Sequence, residues 1–517
     1  MDATTLKKQI EDGKLTIDQL IALHVDVCNQ LAELSKQTQQ LQKRLDAVEV
    51  NKSDDDDPPG SQPTEPYSLS AEDRRRREKL LKKLRNKGGQ NRSVRRGRIS
   101  TADKVALASR TEDVYPSEVE PKVCTLSHTR VVWRLENNSA VLVAYRVWRC
   151  GRKFGKVVGT IGRCEYGLEF VLAVAYQVYV VGLSLDKVSL LTEFFQKIKL
   201  RKSQIDALLN RLAKFLESQF DTLCHLLACS AIVHADETSW SIKSVWTLVS
   251  EKARLLIFGV NKDAETLKKL IDPETFSGLM NSDHAAVYSR FSKTQKCWAH
   301  LIRKAIKLCL QDPKNKKFVR LRDELIAVFR SAVSLKADKR FSDDGRASKV
   351  VELEDKLIDL VVADCQRYDD QQSGLMNDYR LLVKEIFQLA SDHELFTFVT
   401  TANVVRPNGS IMQAEPTNNE AERTLRGPAI SRKTGRTNKT PSGARRQTVI
   451  VSVLESLKCY LTRYSLSDIV AEVLRWQVDG ISCFQQQLSS MAEQPQRAQP
   501  PPRNCGSSIL ERLIPSV

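Results

Sequence analysis

Three short segments of this chain carry acids of the kind that hold divalent metal: HADETSW with Asp236, SDHAAVY with Asp283 and PTNNEAER with Glu422. Two aspartates and a glutamate delivered by separate elements can coordinate a pair of Mg2+ ions, with Mn2+ as a substitute, because hard cations take oxygen ligands. Such a pair activates one oxygen and stabilises another during in-line displacement at phosphorus, the chemistry that breaks and joins phosphodiester bonds. One acid means little in a chain with 63 Asp and Glu. The signal is three acids in distinct contexts within a strongly basic protein.

The surrounding sequence supplies the elements that must position them. AIVHAD reads as a strand ending in Asp236, and SVWTLVS and LLIFGV follow as two more, consistent with a meander. AETLKKLI is a short helix, and SGLMNSD leads to Asp283 at a strand end. A short helix (HAAVYSRF), a strand-like KCWAH and a helix from LIRKAIKL come next. This order matches a ribonuclease-H-like mixed sheet with flanking helices, its first part spanning 231–312 and its last 408–480. Residues 313–407 have helical apolar spacing and no proline between Pro313 and Pro407, which predicts an all-helical insertion. PTNNEAERTLR opens a further helix with Asn418 or Asn419 as cap and Glu422 in the first turn, where an acid suits the helix dipole. Glu420 is the rival acid, on another face. His234 and His284 beside the acids offer proton shuttling or simple packing, and Trp240, Trp246 and Trp298 read as core.

The remainder reads as a multidomain α+β/α protein. With 517 residues, 41% of them hydrophobic, the chain is long enough for about two to four domains. Its net charge of +17 favours a polyanionic partner, nucleic acid before an anionic membrane surface. Residues 1–50 carry a heptad seam from Ile17 to Val48, predicting a coiled coil and a homo-oligomer; a lone amphipathic helix packing in cis is the alternative. Residues 51–115 form a flexible linker and a basic arm, with 13 Lys or Arg between Arg74 and Arg98 and only Glu78 as an acid. Arg74, Arg75, Arg76, Arg77, Lys82, Lys83, Arg95 and Arg96 are its candidate phosphate contacts. A second basic run, Arg423 to Arg446, has eight Lys or Arg and no acid, including Arg423, Arg426, Arg432, Lys433 and Arg436.

Short β-like runs fill a small module over 116–167, in which Cys124, His128 and Cys150 are candidate zinc ligands. Close ligand pairs are missing, so a metal-free, degenerate zinc-finger-like module is the simpler reading. Residues 168–230 are helical, with Ser203 as the expected cap of the second helix; a helix-turn-helix and plain helical packing fit equally well. The apolar run Leu168 to Leu185 is broken by Glu169, Gln177 and Gly182 and falls short of the ~20 residues of a membrane helix. Twelve irregularly spaced cysteines and an N-terminus without a signal-peptide core predict reduced thiols and a cytoplasmic, DNA-bound protein. Residues 481–517, rich in Gln, Pro and Ser, read as a disordered tail.

HADET (234–238), SDHAAVY (282–288), CWAHLIRK (297–304) and EPTNNEAERTLR (415–426), in this order, resemble the IS66 family of transposases, of the DDE group. GGQ (88–90) before a basic stretch also resembles that family's N-terminal region. The resemblance implies that Asp236, Asp283 and Glu422 are a catalytic, Mg2+-binding triad and that His300 and Arg303 line the site. It implies hydrolysis at a transposon end to free a 3′-OH, then attack of that 3′-OH on double-stranded target DNA, with element-encoded helper proteins as further partners. Members usually carry a CPxCG-type cysteine pair, whereas here Cys124 is followed by Ser127 and Cys150 by Lys153, so the resemblance does not extend to zinc. A catalytically silent DNA-binding protein on the same fold, and a nuclease of the RNA-processing kind, are the competing readings.

Overall fold

In a computed structural model of the chain, residues 76–77, 100–367, 374–492 and 509–514 are described. The chain divides into two compact units, Met1–Gly97 and Arg98–Val517. Of the first, only Arg76 and Arg77 are described, both helical and exposed. The heptad segment, the linker, and Arg74, Arg75, Lys82, Lys83, Arg95 and Arg96 lie outside the described residues.

The second unit opens with α1 (Thr101–Ala106). Ser100 and Asp103 cap it reciprocally: the Ser100 hydroxyl accepts from the Asp103 N–H at 3.1 Å, and the Asp103 carboxylate accepts from the Ser100 N–H at 3.3 Å. Strands β1 (Arg110–Val114), β2 (Thr125–Glu136), β3 (Ser139–Cys150) and β4 (Lys153–Phe154) form one sheet, with β1 parallel and β2 antiparallel to β3. The expected short runs are in fact two twelve-residue strands. Asn137 and Asn138, at φ 49° and 62°, join them in the tight turn whose twist matches a hairpin.

Helices α2 (Leu168–Tyr179), α3 (Leu185–Gln196) and α4 (Lys202–Ala228) follow. The cap of α4 is Arg201, not Ser203: the Gln204 side chain accepts from the Arg201 N–H at 2.9 Å, so the helix starts two residues earlier. Its apolar face (Leu209, Leu212, Leu216, Phe220, Leu223) is wholly buried, so α4 is a core helix of this unit. Among the described residues, no helix is long and apolar enough to cross a membrane.

The central sheet consists of β5 (Ile232–Ser239), β6 (Ser244–Ser250), β7 (Arg254–Val260), then, after α5 (Ala264–Lys268), β8 (Leu279–Ser282) and β9 (Thr294–Lys296). Its order is β7-β6-β5-β8-β9, antiparallel across β7-β6-β5 and parallel across β5-β8-β9. All seven residues of β6 are buried, because both faces of the sheet are covered; this is why SVWTLVS reads as a continuous run rather than an alternation. On one face Val233, Ala235, Trp246 and Leu248 pack with α2 and α4. Toward the other, Ile232 and Leu279 join the core of α6 (Trp298–Gln311), α7 (Lys316–Ala337), α8 (Asp343–Arg367), α9 (Leu375–Ser391) and α10 (Thr397–Thr400). The helical segment between Pro313 and Pro407 thus shares its core with the sheet.

After the short pair β10 (Val404–Val405) and β11 (Ile411–Met412) come α11 (Asn419–Lys433), α12 (Pro441–Leu457), α13 (Leu466–Asp479), α14 (Cys483–Ala492) and α15 (Ile509–Leu513). The last two correct the expectation of disorder from 481 onward: Phe484 and Leu510 are fully buried against α4 and its neighbours. Strand β7 is a sheet edge, and α12 closes it with hydroxyls at helical spacing. Ser456, Ser452 and Thr448 accept the N–H groups of Arg254, Leu256 and Phe258 at 2.9, 3.0 and 3.0 Å. A buried donor left without a partner costs about 1–3 kcal/mol. Ser452→Ala is therefore expected to lower the unfolding free energy by about that amount in urea denaturation; an unchanged midpoint would show that the contact contributes nothing.

Candidate active site

Asp236 lies inside β5, paired with Thr247, because the strand runs three residues beyond the expected end at Asp236. The two-residue period of a strand then separates the acids of HADET. The Asp236 Oδ1 accepts the Glu237 N–H at 2.8 Å. Glu237 turns into the core, where the Tyr288 hydroxyl donates to Oε2 and Lys262 Nζ sits 2.7 Å from Oε1. Glu237 and Tyr288 belong to two of the motifs, yet sequence reading assigned them no part. An acid one residue out of register with Asp236, on the apolar face of a strand, was the available signal.

Asp283 follows the end of β8, and its Oδ1 accepts the Ala285 N–H at 3.0 Å, which fixes the turn into Ala286–Tyr288. The third acid is delivered by a loop stitched across the sheet. Asn281 on β8 donates to the Glu415 carbonyl at 2.8 Å, Trp298 N–H donates to the Pro416 carbonyl at 3.1 Å, and the Asn418 side chain donates to the Ala235 carbonyl at 2.7 Å. Asn418 is the N-cap residue of α11, but its amide anchors the helix to β5 instead of capping it. From that anchor Glu422, one turn in, faces α6, where Arg303 Nη2 approaches its Oε1 at 3.0 Å and His300 Nε2 at 3.7 Å. Glu420 points elsewhere, to Arg254 at 2.8 Å, Arg423 at 3.3 Å and Arg406 at 3.6 Å.

His300 reaches this position because α6 begins at Trp298, three residues earlier than LIRKAIKL suggested; of the strand-like KCWAH only Lys296, the end of β9, is strand. Burial, reinforced by Arg303, lowers its pKa and favours the neutral imidazole. Asp236 is pushed up to about 7, first by burial and then by the negative charges of Glu237, Asp283 and Glu422. The charges of Asp283 and Glu422 are thus felt at Asp236. Lys296, missed in the sequence, is buried with Nζ 3.4 Å from Ser282 Oγ. Together with Asp283, His284, Cys297, His300, Lys304 and Glu385 it lines a cleft of about 600 Å³ between α6 and α9. His284 is turned into that cleft, 3.2 Å from Glu385. His234 is buried, and desolvation lowers its pKa to about 4, which suits packing better than proton transfer.

Arg426, Arg432, Lys433 and Arg436 are exposed along the end of α11 and the turn after it, and Arg423 is exposed beside Glu420. Arg432 donates to Thr238 Oγ1 at 3.0 Å and to the Ser239 carbonyl at 2.9 Å, and Arg436 donates to the Gly182 carbonyl. Cys124 and Cys150 flank the paired ends of β2 and β3, while His128 lies opposite Val147 with its ring toward Ser127. These three do not form one of the metal-sized His, Cys, Asp and Glu groups found among the described residues. The described cysteines are all free thiols.

Comparison with family models matches residues 163–446 to the model described as Transposase IS66 family. No curated protein matches the chain.

Proposed function

The chain belongs to the IS66 family of transposases, and from that premise we propose that it is a DDE transposase with a ribonuclease-H-like core, cutting and joining DNA at the Asp236, Asp283 and Glu422 site. One observation supports the reading: the three carboxylates come from a strand, a strand end and a helix start, and the charges of Glu237, Asp283 and Glu422 add to burial in holding Asp236 near 7. The strand order 3-2-1-4-5 with two parallel pairs supports the assignment of the core.

The donor types suit Mg2+, hard oxygens from three elements, although they do not gather within 4.8 Å as the ligand atoms of Cys297, His300 and Glu422 do. Bound there, two divalent ions would supply Lewis acidity to the attacking oxygen and the leaving 3′ oxygen. The protein's own groups do the rest. The Asn418 anchor and the Ala285 N–H hold Glu422 and Asp283 in place, and Arg303 orients Glu422. In the first displacement a water oxygen bonds to phosphorus, the P–O3′ bond breaks, and the 3′ oxygen leaves as a hydroxyl. In the second, that hydroxyl oxygen bonds to a target phosphorus at the same site while the target's P–O3′ bond breaks and its 3′ oxygen leaves as a hydroxyl. Arg426, Arg432, Lys433 and Arg436 would neutralise phosphates beside it, with Arg76 and Arg77 of the basic arm adding salt-dependent affinity.

The test is Mg2+-dependent cleavage and joining of DNA bearing the element's ends, comparing wild type with Asp236→Ala. Loss of both steps with DNA binding kept is the expected outcome. A variant that still cuts sinks the assignment, and binding without cleavage by the wild type would favour a silent DNA-binding protein.

A further inference from the structure

Cys297 is the N-cap residue of α6, its Sγ accepting the Asn418 N–H at 3.2 Å, with His300 three residues on and Glu422 reaching across from α11. One ligand atom from each, a sulfur, a ring nitrogen and a carboxylate oxygen, lies within 4.8 Å of the other two. Among the described residues this is the one such group. His300 Nε2 stands 3.7 Å from Glu422 Oε1, too far for a good hydrogen bond. It is close to the ~3.4 Å that separates two ligands on a tetrahedral ion with bonds of about 2.0–2.1 Å. His300 Nδ1 is buried with no hydrogen-bond partner. A thiolate and an imidazole are softer donors than the Asp236 and Asp283 carboxylates and select a different class of metal.

We propose that Cys297, His300 and Glu422 bind one soft divalent ion of the Zn2+ class, and that this ion competes with the carboxylate-held ions for Glu422, so that its occupancy turns end cleavage off. The competition rests on the assignment of Glu422 to the cleavage site; the binding does not. On binding, the Cys297 S–H proton leaves to solvent and a sulfur–metal bond forms, with no change of oxidation state. Arg303, 58% exposed, swings off Glu422 into solvent to make room. Three protein ligands leave a fourth position, open to the cleft that Cys297 and His300 both line.

Two readouts on the full-length protein separate these claims. Co2+ in place of Zn2+ should give a near-ultraviolet sulfur-to-cobalt charge-transfer band at one equivalent, present in wild type and Asp236→Asn and absent in Cys297→Ser. His300→Gln, with its fold checked by circular dichroism, should weaken Zn2+ binding by at least about 100-fold, beyond the ~10–100-fold of an outer-shell loss. A wild type without the band, or a band that survives in Cys297→Ser, overturns the site. For competition, Mn2+ is loaded first and its free paramagnetic resonance signal followed as Zn2+ is added. Release of Mn2+ by wild type but not by Cys297→Ser is expected; Mn2+ that stays bound beside Zn2+ overturns the competition. A protein that gives the cobalt band but binds no Mn2+ overturns the carboxylate site, and the competition with it, while leaving the soft site standing.

Discussion

Glu422→Gln is expected to lower Mg2+-dependent end cleavage by about 10³-fold or more, whereas Glu420→Gln is expected to spare cleavage by folded molecules and lower stability. The two acids lie on one helix turn but have opposite surroundings. Glu422 faces α6, where Arg303 and His300 approach its carboxylate, and its charge is felt at Asp236. Losing several kcal/mol of charge stabilisation in the transition state corresponds to roughly three powers of ten in rate. Glu420 is half-buried among Arg254, Arg406 and Arg423. Burial pushes its pKa up, but Arg254 and Arg406 outweigh that and hold it below the usual carboxylate range. Neutralising it strands Arg254 with less compensation, a loss of roughly 2–4 kcal/mol by analogy with buried pairs broken on one side. Urea denaturation reads the stability, and single-turnover cleavage normalised to folded protein reads the chemistry. Cleavage lost in Glu420→Gln and kept in Glu422→Gln would exchange the two roles.

That distinction was only partly legible in the sequence, and the reason is physical. Helical spacing puts Glu420 and Glu422 on different faces, but which face meets the aspartates depends on where the helix is anchored. The anchor is Asn418 to the Ala235 carbonyl, a contact 183 positions apart in the chain. Elements with a strong local pattern were readable: the strand runs before and after Asp236, the long apolar-spaced helices before Pro407, and the strand leading to Asp283. Boundaries set by tertiary contacts were not. Helix α6 starts at Trp298 behind a cysteine, which carries none of the side-chain signal that marks most helix starts. Strand β5 runs past Asp236 because β6 offers partners as far as Ser239. The hydroxyl row Thr448, Ser452 and Ser456 looks like neutral helix filler until an edge strand lies under it. Phe484 and Leu510 sit in polar, proline-rich surroundings that conceal two short helices, each docked through buried apolar residues.

In the absence of divalent ions, Asp236→Asn is expected to be more stable than wild type at about pH 8, by about 1–4 kcal/mol. The Asp236 carboxyl titrates near 7 in the folded chain and at 3.8 as an ordinary aspartate, with burial as the largest cause and Glu237, Asp283 and Glu422 adding repulsion. A tenfold change in proton affinity between the folded and unfolded chain is worth about 1.4 kcal/mol, which sets the upper bound. A raised folded-state pKa favours the folded state fully below the unfolded value, and that contribution drains away as pH rises through the folded one. Asn, which never ionises, escapes the loss, so its advantage should be absent near pH 4, grow between about 4 and 7, and level off above. Asn Oδ1 can still accept the Glu237 N–H, so the strand itself is undisturbed. Mg2+ should reverse the ranking, because an ion that binds only the folded wild type adds stability that the variant cannot gain. Denaturation with chelator and with Mg2+ at several pH values checks both halves. An advantage independent of pH would mean that Asp236 is not under electrostatic strain. A crossover driven by Mg2+ would tie the instability of the metal-free acids to a cation that they bind.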